Sequence, residues 1–96
     1  MSVSRKVLIG ILNKKYPNLN LRTTEEFNGQ TGGIWVSGTE DEIEAKDGFN
    51  LFDYYNEDYN ETRYQFGVHK EIRTVLEEHG WYGEWNDPGT MMFWEV

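Results

Sequence analysis

Residues 68–96 read VHKEIRTVLEEHGWYGEWNDPGTMMFWEV, and the periodicity of this stretch switches once, from helical to alternating. Val68, Ile72, Val75, Leu76 and His79 fall at i, i+4, i+7, i+8 and i+11, the apolar stripe of a core-facing helix. Lys70, Glu71, Arg73, Glu77 and Glu78 fill the opposite side. Gly67 precedes this helix and Gly80 is placed to end it. Trp81-Tyr82-Gly83-Glu84-Trp85 then alternates, and Met91 to Val96 follows after Asn86-Asp87-Pro88-Gly89. Proline fixes φ and glycine tolerates φ > 0, so Asp-Pro-Gly predicts a turn. The stretch is therefore a helix followed by a β-hairpin with strands near 81–86 and 90–96. Trp85 and Phe93 are expected to oppose one another, and such a cross-strand pair contributes roughly 0.2–1 kcal/mol.

Working back to the N-terminus, Val3, Val7, Leu8, Ile11 and Leu12 form one apolar face of a first helix capped by Ser2 or Ser4. Lys14 and Lys15 suit its C-terminal dipole, and Pro17 forbids its continuation. Asn18 to Thr23 alternates as a half-buried strand with Leu19 and Leu21 inward. Residues 25–31 read as a loop. Gly32 to Ser37 is a short second strand, with Ile34 and Val36 towards the core and Trp35 on the other side. After an acidic loop and the Asp47-Gly48 turn, Phe49-Asn50-Leu51-Phe52-Asp53-Tyr54-Tyr55 is rich in strand formers and predicts a third strand. Residues 56–62 are a polar loop, and Arg63 to Phe66 an extended lead-in to the second helix. The predicted order is α-β-β-β-α-β-β in an α+β domain spanning 1–96, with two helices on one face of a five-stranded, mostly antiparallel sheet. The α-β-β-β-α part is similar in order to double-stranded-RNA-binding domains, but its charge is wrong for that use.

Charge is segregated along the chain. Residues 1–24 carry net +5, residues 25–61 net −10 and residues 62–96 net −3. A total of −8 argues against direct nucleic-acid binding, which needs stripes of lysine and arginine, and against anionic membranes. The absence of cysteine removes disulfides, thiolate metal sites and cysteine nucleophiles, and fits a reducing cytosol. The apolar run at 7–12 is too short for a signal peptide and is followed by Asn13-Lys14-Lys15 rather than a small-residue cleavage site. No stretch approaches the ~20 apolar residues that span a bilayer. An aromatic content of 16% predicts an ordered fold despite a mean hydropathy of −0.75.

The string Gly80-Trp81-Tyr82-Gly83-Glu84-Trp85-Asn86-Asp87-Pro88-Gly89-Thr90-Met91-Met92-Phe93-Trp94 resembles the C-terminal signature G-W-Y-x-E-W-x-D-x-G-T-x-M-x-W of small proteins encoded by tailed bacteriophages. Gly32 to Val36, Leu51 to Tyr55 and Phe66 to His69 resemble the blocks that precede it, so the likeness covers residues 30–96. Asn86 and Pro88 depart from it, standing where an aromatic and a small residue are expected. The resemblance implies a phage origin and the cytosol of the bacterial host. It implies no reaction.

Nine of the seventeen acids lie between Glu40 and Glu61. Within this belt, Glu40, Asp41, Glu42, Glu44, Asp53, Glu57, Asp58 and Glu61 read either as a solvated face or as a recognition surface for a basic, nucleic-acid-binding host protein. Asn56 to Glu61 supplies oxygen ligands but lacks the spacing of a calcium loop, so no metal site is assigned. His69 and His79 lie ten residues apart on one predicted helix, about 15 Å, too far to share a metal. His79 suits terminal carbonyls. His69 reads as a structural histidine or, less simply, as a general base near Asp53 or Glu84. Gly29-Gln30-Thr31-Gly32-Gly33 lacks the Lys-Ser/Thr of a phosphate loop, and no cofactor is predicted.

Trp35, Phe52, Tyr54, Tyr82 and Trp94 are expected on one sheet face, with Phe49, Leu51, Trp81, Trp85 and Phe93 on the other. Two helices cover only one face. Loops fold over the other, or it is an exposed platform, with Trp35, Tyr54, Tyr82 and Trp94 available for self-association or for a ligand. The sequence thus points to a non-enzymatic phage accessory protein that binds and inhibits a host or defence factor. The alternative is a nucleotide or other small-molecule binder that uses the aromatic face.

Overall fold

The computed structural model describes residues 2–39, 42–55 and 63–96. Helix α1 spans Arg5–Lys15, with Ser4 as its N-cap: the Ser4 hydroxyl accepts the Val7 N–H at 3.3 Å. It buries Leu8 and Leu12, whereas Val7 stays half exposed. Strand β1 (Leu21–Thr23) follows and leads directly into a short helix α2 (Thr24–Asn28), where a loop was expected. Glu25 and Glu26 in its first turn suit the dipole, Gly29 at φ 82 ends it, and Phe27 packs on Trp35 with ring centroids 4.9 Å apart. Strand β2 (Ile34–Val36) comes next, with Ile34 and Val36 buried as expected.

The predicted third strand does not join the sheet. Its residues form isolated bridges instead, Asn50 with Glu44 and Phe52 with Val68. The Asp47-Gly48 turn folds the segment on itself through Ala45 N–H to Phe49 O and Leu51 N–H to Ile43 O. The backbone around Phe52 is then spent on the next hairpin, through His69 N–H to Leu51 O and Asp53 N–H to Gly67 O, each 2.8 Å. Leu51 and Phe52 still enter the core.

That hairpin pairs β3 (Tyr64–Gln65) with β4 (Val68–His69) where an extended lead-in was expected. Phe66 at φ 52 and Gly67 at φ 76 form its two-residue turn, both left-handed as such hairpins require. A Cβ on Gly67 would lie 2.6 Å from the Asp53 carbonyl oxygen, so this position also needs glycine for space. Helix α3 runs Lys70–Glu78, two residues later than the apolar stripe implies, because Val68 and His69 are held in β4. It buries Ile72, Val75 and Leu76.

Strands β5 (Trp81–Asp87) and β6 (Thr90–Glu95) form the C-terminal hairpin. The Pro88-Gly89 turn and an irregularity at Asn86 set Trp85 opposite Met91 and Gly83 opposite Phe93, so Trp85 and Phe93 are not partners. Phe52 contacts both rings instead, at 6.4 and 6.0 Å.

The fold is α+β, built on a four-stranded antiparallel sheet of order β1-β2-β6-β5, one strand fewer than predicted. Ile34, Val36, Met91, Phe93 and Trp81 face the core with Leu8 and Leu12 of α1 and Ile72, Val75 and Leu76 of α3. The two longer helices therefore share one face of the sheet, as expected. No helix among the described residues is long and apolar enough to cross a membrane.

Candidate functional site

Two places gather polar and aromatic side chains. The first is the seam between the 43–52 loop and the start of α3. His69 is the N-cap of α3: its Nδ1 accepts the Glu71 N–H at 2.9 Å. That bond leaves the proton on Nε2, which donates to both Asp47 carboxylate oxygens at 3.0 Å. Asp47 also accepts the Phe49 N–H at 3.0 Å and the Arg63 Nε–H at 3.3 Å. The Phe49 N–H foremost, with His69 and Arg63, holds the Asp47 carboxyl below its usual range. Glu71 accepts the Tyr16 hydroxyl at 2.6 Å and the Lys46 N–H at 3.1 Å. Burial pulls the Glu71 carboxyl up, but these bonds and nearby Lys15 outweigh it and hold the group low. Burial, then the Glu71 carboxylate, pushes the Tyr16 phenol up.

This network clamps a loop to a helix. Both His69 nitrogens are engaged, so no lone pair remains for proton abstraction. The partner is Asp47, neither Asp53 nor Glu84. His79 behaves as expected, its Nδ1 lying 2.7 Å from Val75 O in the last turn of α3. Among the described residues, no three histidine or carboxylate side chains converge as metal ligands.

The second place is the outer face of the sheet. Strand register puts Trp35, Met92, Trp94, Tyr82 and Glu84 there together. Trp35, Tyr82 and Trp94 are thus brought to one face as predicted. Tyr54 is not: its segment left the sheet, and its ring stacks edge-on against Trp85, 5.2 Å away, on the other side. Phe52 likewise belongs to the core. The short helix α2 covers part of the face by laying Phe27 on Trp35. The open remainder is a concavity of about 500 Å³ lined by Gln30, Tyr82, Glu84, Trp85, Met92 and Trp94 among others. Gly33 positions Trp94: a Cβ there would lie 2.6 Å from the indole ring.

The four tryptophans divide by role. Trp81 donates its indole N–H to Val3 O at 2.9 Å, and Trp85 donates to Phe66 O at 2.6 Å. Trp35 and Trp94 donate to no described residue, and the Glu84 carboxylate has no hydrogen-bond or ion-pair partner among them. The core tryptophans have spent their polar groups on the fold, and those of the outer face have not. Asp47 was marked in the sequence only as a turn residue and Glu84 only as a possible partner of His69, and nothing marked Gln30 as lining a cavity. Both sites depend on pairings distant in the chain.

Of the acidic belt, Glu42 and Glu44 are exposed and Asp53 is half-buried. Glu40, Asp41, Glu57, Asp58 and Glu61 lie outside the described residues, as do the Asn56–Glu61 segment and its oxygen ligands. No protein-family model matches this chain, and neither a curated protein nor a solved structure matches it.

Proposed function

We propose that this protein acts by stoichiometric binding, holding cationic side chains of a basic, nucleic-acid-binding host or defence protein on the outer face of its sheet. The carrying observation is the open concavity in which the Tyr82 and Trp94 rings stand beside the Glu84 carboxylate, which pairs with no described residue. A lysine or arginine head group gains from an aromatic face and from a carboxylate together, and a net charge of −8 steers such a partner in. On this reading the protein is a phage accessory protein working in the host cytosol, as the likeness of residues 80–94 implies. It binds neither nucleic acid nor membrane directly, and the acidic belt adds to steering.

The test is calorimetric titration with an arginine- and lysine-rich peptide at low and high salt. The double variant Tyr82→Ala/Glu84→Gln removes one cation–π contact and one charge, together about 1–2 kcal/mol, and is expected to weaken binding about five- to thirtyfold. Neutralising Glu42 and Glu44 as glutamines should chiefly reduce the salt dependence. Equal affinity in wild type and the double variant would contradict the reading. The cavity's volume also lies in the range of small-molecule sites. A nucleotide that binds with no salt dependence, in place of the peptide, would favour the small-molecule reading.

A further inference from the structure

Strand β5 ends the sheet on one side. The Val96 N–H donates to Gly80 O at 2.9 Å. In an antiparallel ladder, Tyr82 and Glu84 then exchange bonds with β6, and the N–H and C=O of Gly83 and Trp85 point away from it. The parity agrees on the other strand: the Met91 N–H, turned away from β5, is taken by the Thr39 hydroxyl at 3.0 Å. Among the described residues, no hydrogen bond reaches the outward backbone groups of Gly83 or Trp85. An unpaired edge of this kind is a template for another strand.

A cavity of about 300 Å³ adjoins this edge on the core side, lined by Phe66, Val68, Leu76, Glu77, Tyr82 and Gly83 among others. Phe66 is 86% exposed, so its own packing does not account for a bulky side chain at φ 52.

We infer that the β5 edge accepts an extended basic segment of the partner protein as an added strand. This rests on the reading above and states how the cationic side chains are delivered. Charge selects the occupant. Exposed Glu77, Glu84 and Asp87 flank the edge, against the Arg73 guanidinium, which lines the cavity and donates to Val68 O, and a second copy of a chain carrying −8 would bring like charge to it. Side chains of an added strand alternate. One set lies over Tyr82 and Glu84, where lysine or arginine fits. The other lies beside Gly83, where the cavity takes apolar groups.

The test uses a ten-residue peptide alternating lysine and valine, with amide hydrogen exchange of the protein followed by NMR. The free protein should exchange the Gly83 and Trp85 amides quickly, and the peptide should slow both about tenfold or more. Antiparallel addition pairs the valine backbone with Gly83 and Trp85. Methylating the valine nitrogens should therefore abolish binding, and methylating the lysine nitrogens should leave it intact; the reverse pattern marks parallel addition and equally supports the inference. Binding that survives both methylations overturns it. So does slowing of these amides with protein concentration alone, which would put a second copy on the edge. Peptide binding that leaves Gly83 and Trp85 unprotected overturns the edge while sparing the cation-binding reading; no binding by any form overturns both.

Discussion

Asp47 grips His69 through both carboxylate oxygens at 3.0 Å, while the other ring nitrogen of His69 caps α3. One buried histidine thereby joins the turn at Asp47-Gly48 to the helix that supports the sheet. His69→Ala should lose about 1 kcal/mol for the cap alone, and more for the released loop. His69→Asn should recover part of this, since its side-chain oxygen also caps. Urea denaturation of the three proteins measures it, and an unchanged midpoint in His69→Ala would refute the clamp.

Acid should weaken the fold through the carboxylates. Glu25 is held low first by Arg5, Asp47 first by the Phe49 N–H and Asp87 first by the Gly89 N–H. Glu71 is also low, its hydrogen bonds and Lys15 outweighing burial. A folded-state pKa below the unfolded one stabilises above the unfolded value, near 4, and that gain vanishes as pH falls through the folded values. Urea midpoints should therefore drop below about pH 4, less steeply in Glu71→Gln than in wild type. Equal slopes would remove Glu71 from this account.

Alkali should act in the opposite sense. Burial first, then nearby carboxylates, raises the Tyr16 and Tyr64 phenols. Their contribution is present below the unfolded value, near 10, and is lost as pH rises towards the folded values. Ultraviolet titration should find these two tyrosines ionising last, and Tyr16→Phe should flatten the alkaline loss. Normal ionisation of all six tyrosines would contradict the burial of Tyr16.

The β3–β4 turn makes two opposite predictions. Gly67→Ala adds a Cβ against the Asp53 carbonyl at a left-handed φ and should cost about 2 kcal/mol or more. Phe66→Asn puts a residue tolerant of φ > 0 in place of an exposed ring and should stabilise by up to about 1 kcal/mol. The same substitution should weaken capture of an added strand. Thermal melts check the first pair, and a Phe66→Asn protein less stable than wild type would show that the ring supports the fold.

Gly33→Ala should displace Trp94, since the new Cβ meets the indole ring and the Thr24 methyl. A cost of about 1–3 kcal/mol is expected, together with a shift in tryptophan emission. Unchanged emission would mean that Trp94 does not rest on Gly33.

How much of this was legible in the sequence follows from range. The α3 stripe, strand β2 and the β5–β6 hairpin are local patterns, and their faces were readable: Trp35, Tyr82 and Trp94 on one side, Trp81, Trp85 and Phe93 on the other. Phe49 to Tyr55 misled because composition favours a strand, while its partners were decided by Gly67, Val68 and His69. Helix α2 is only five residues long, and its signals, Thr23 with Glu26 three residues on and Gly29 after it, were too brief to outweigh a polar loop reading. The Asp47–His69 contact spans twenty-two residues and has no periodic signature.

The most direct test of the central claim follows the four indole N–H signals by NMR as an arginine- and lysine-rich peptide is added. Binding at the outer face should move the Trp94 signal and, beside it, Trp35. Trp81, buried and bonded to Val3 O, should move little. A peptide that binds while Trp94 stays still would contradict the account.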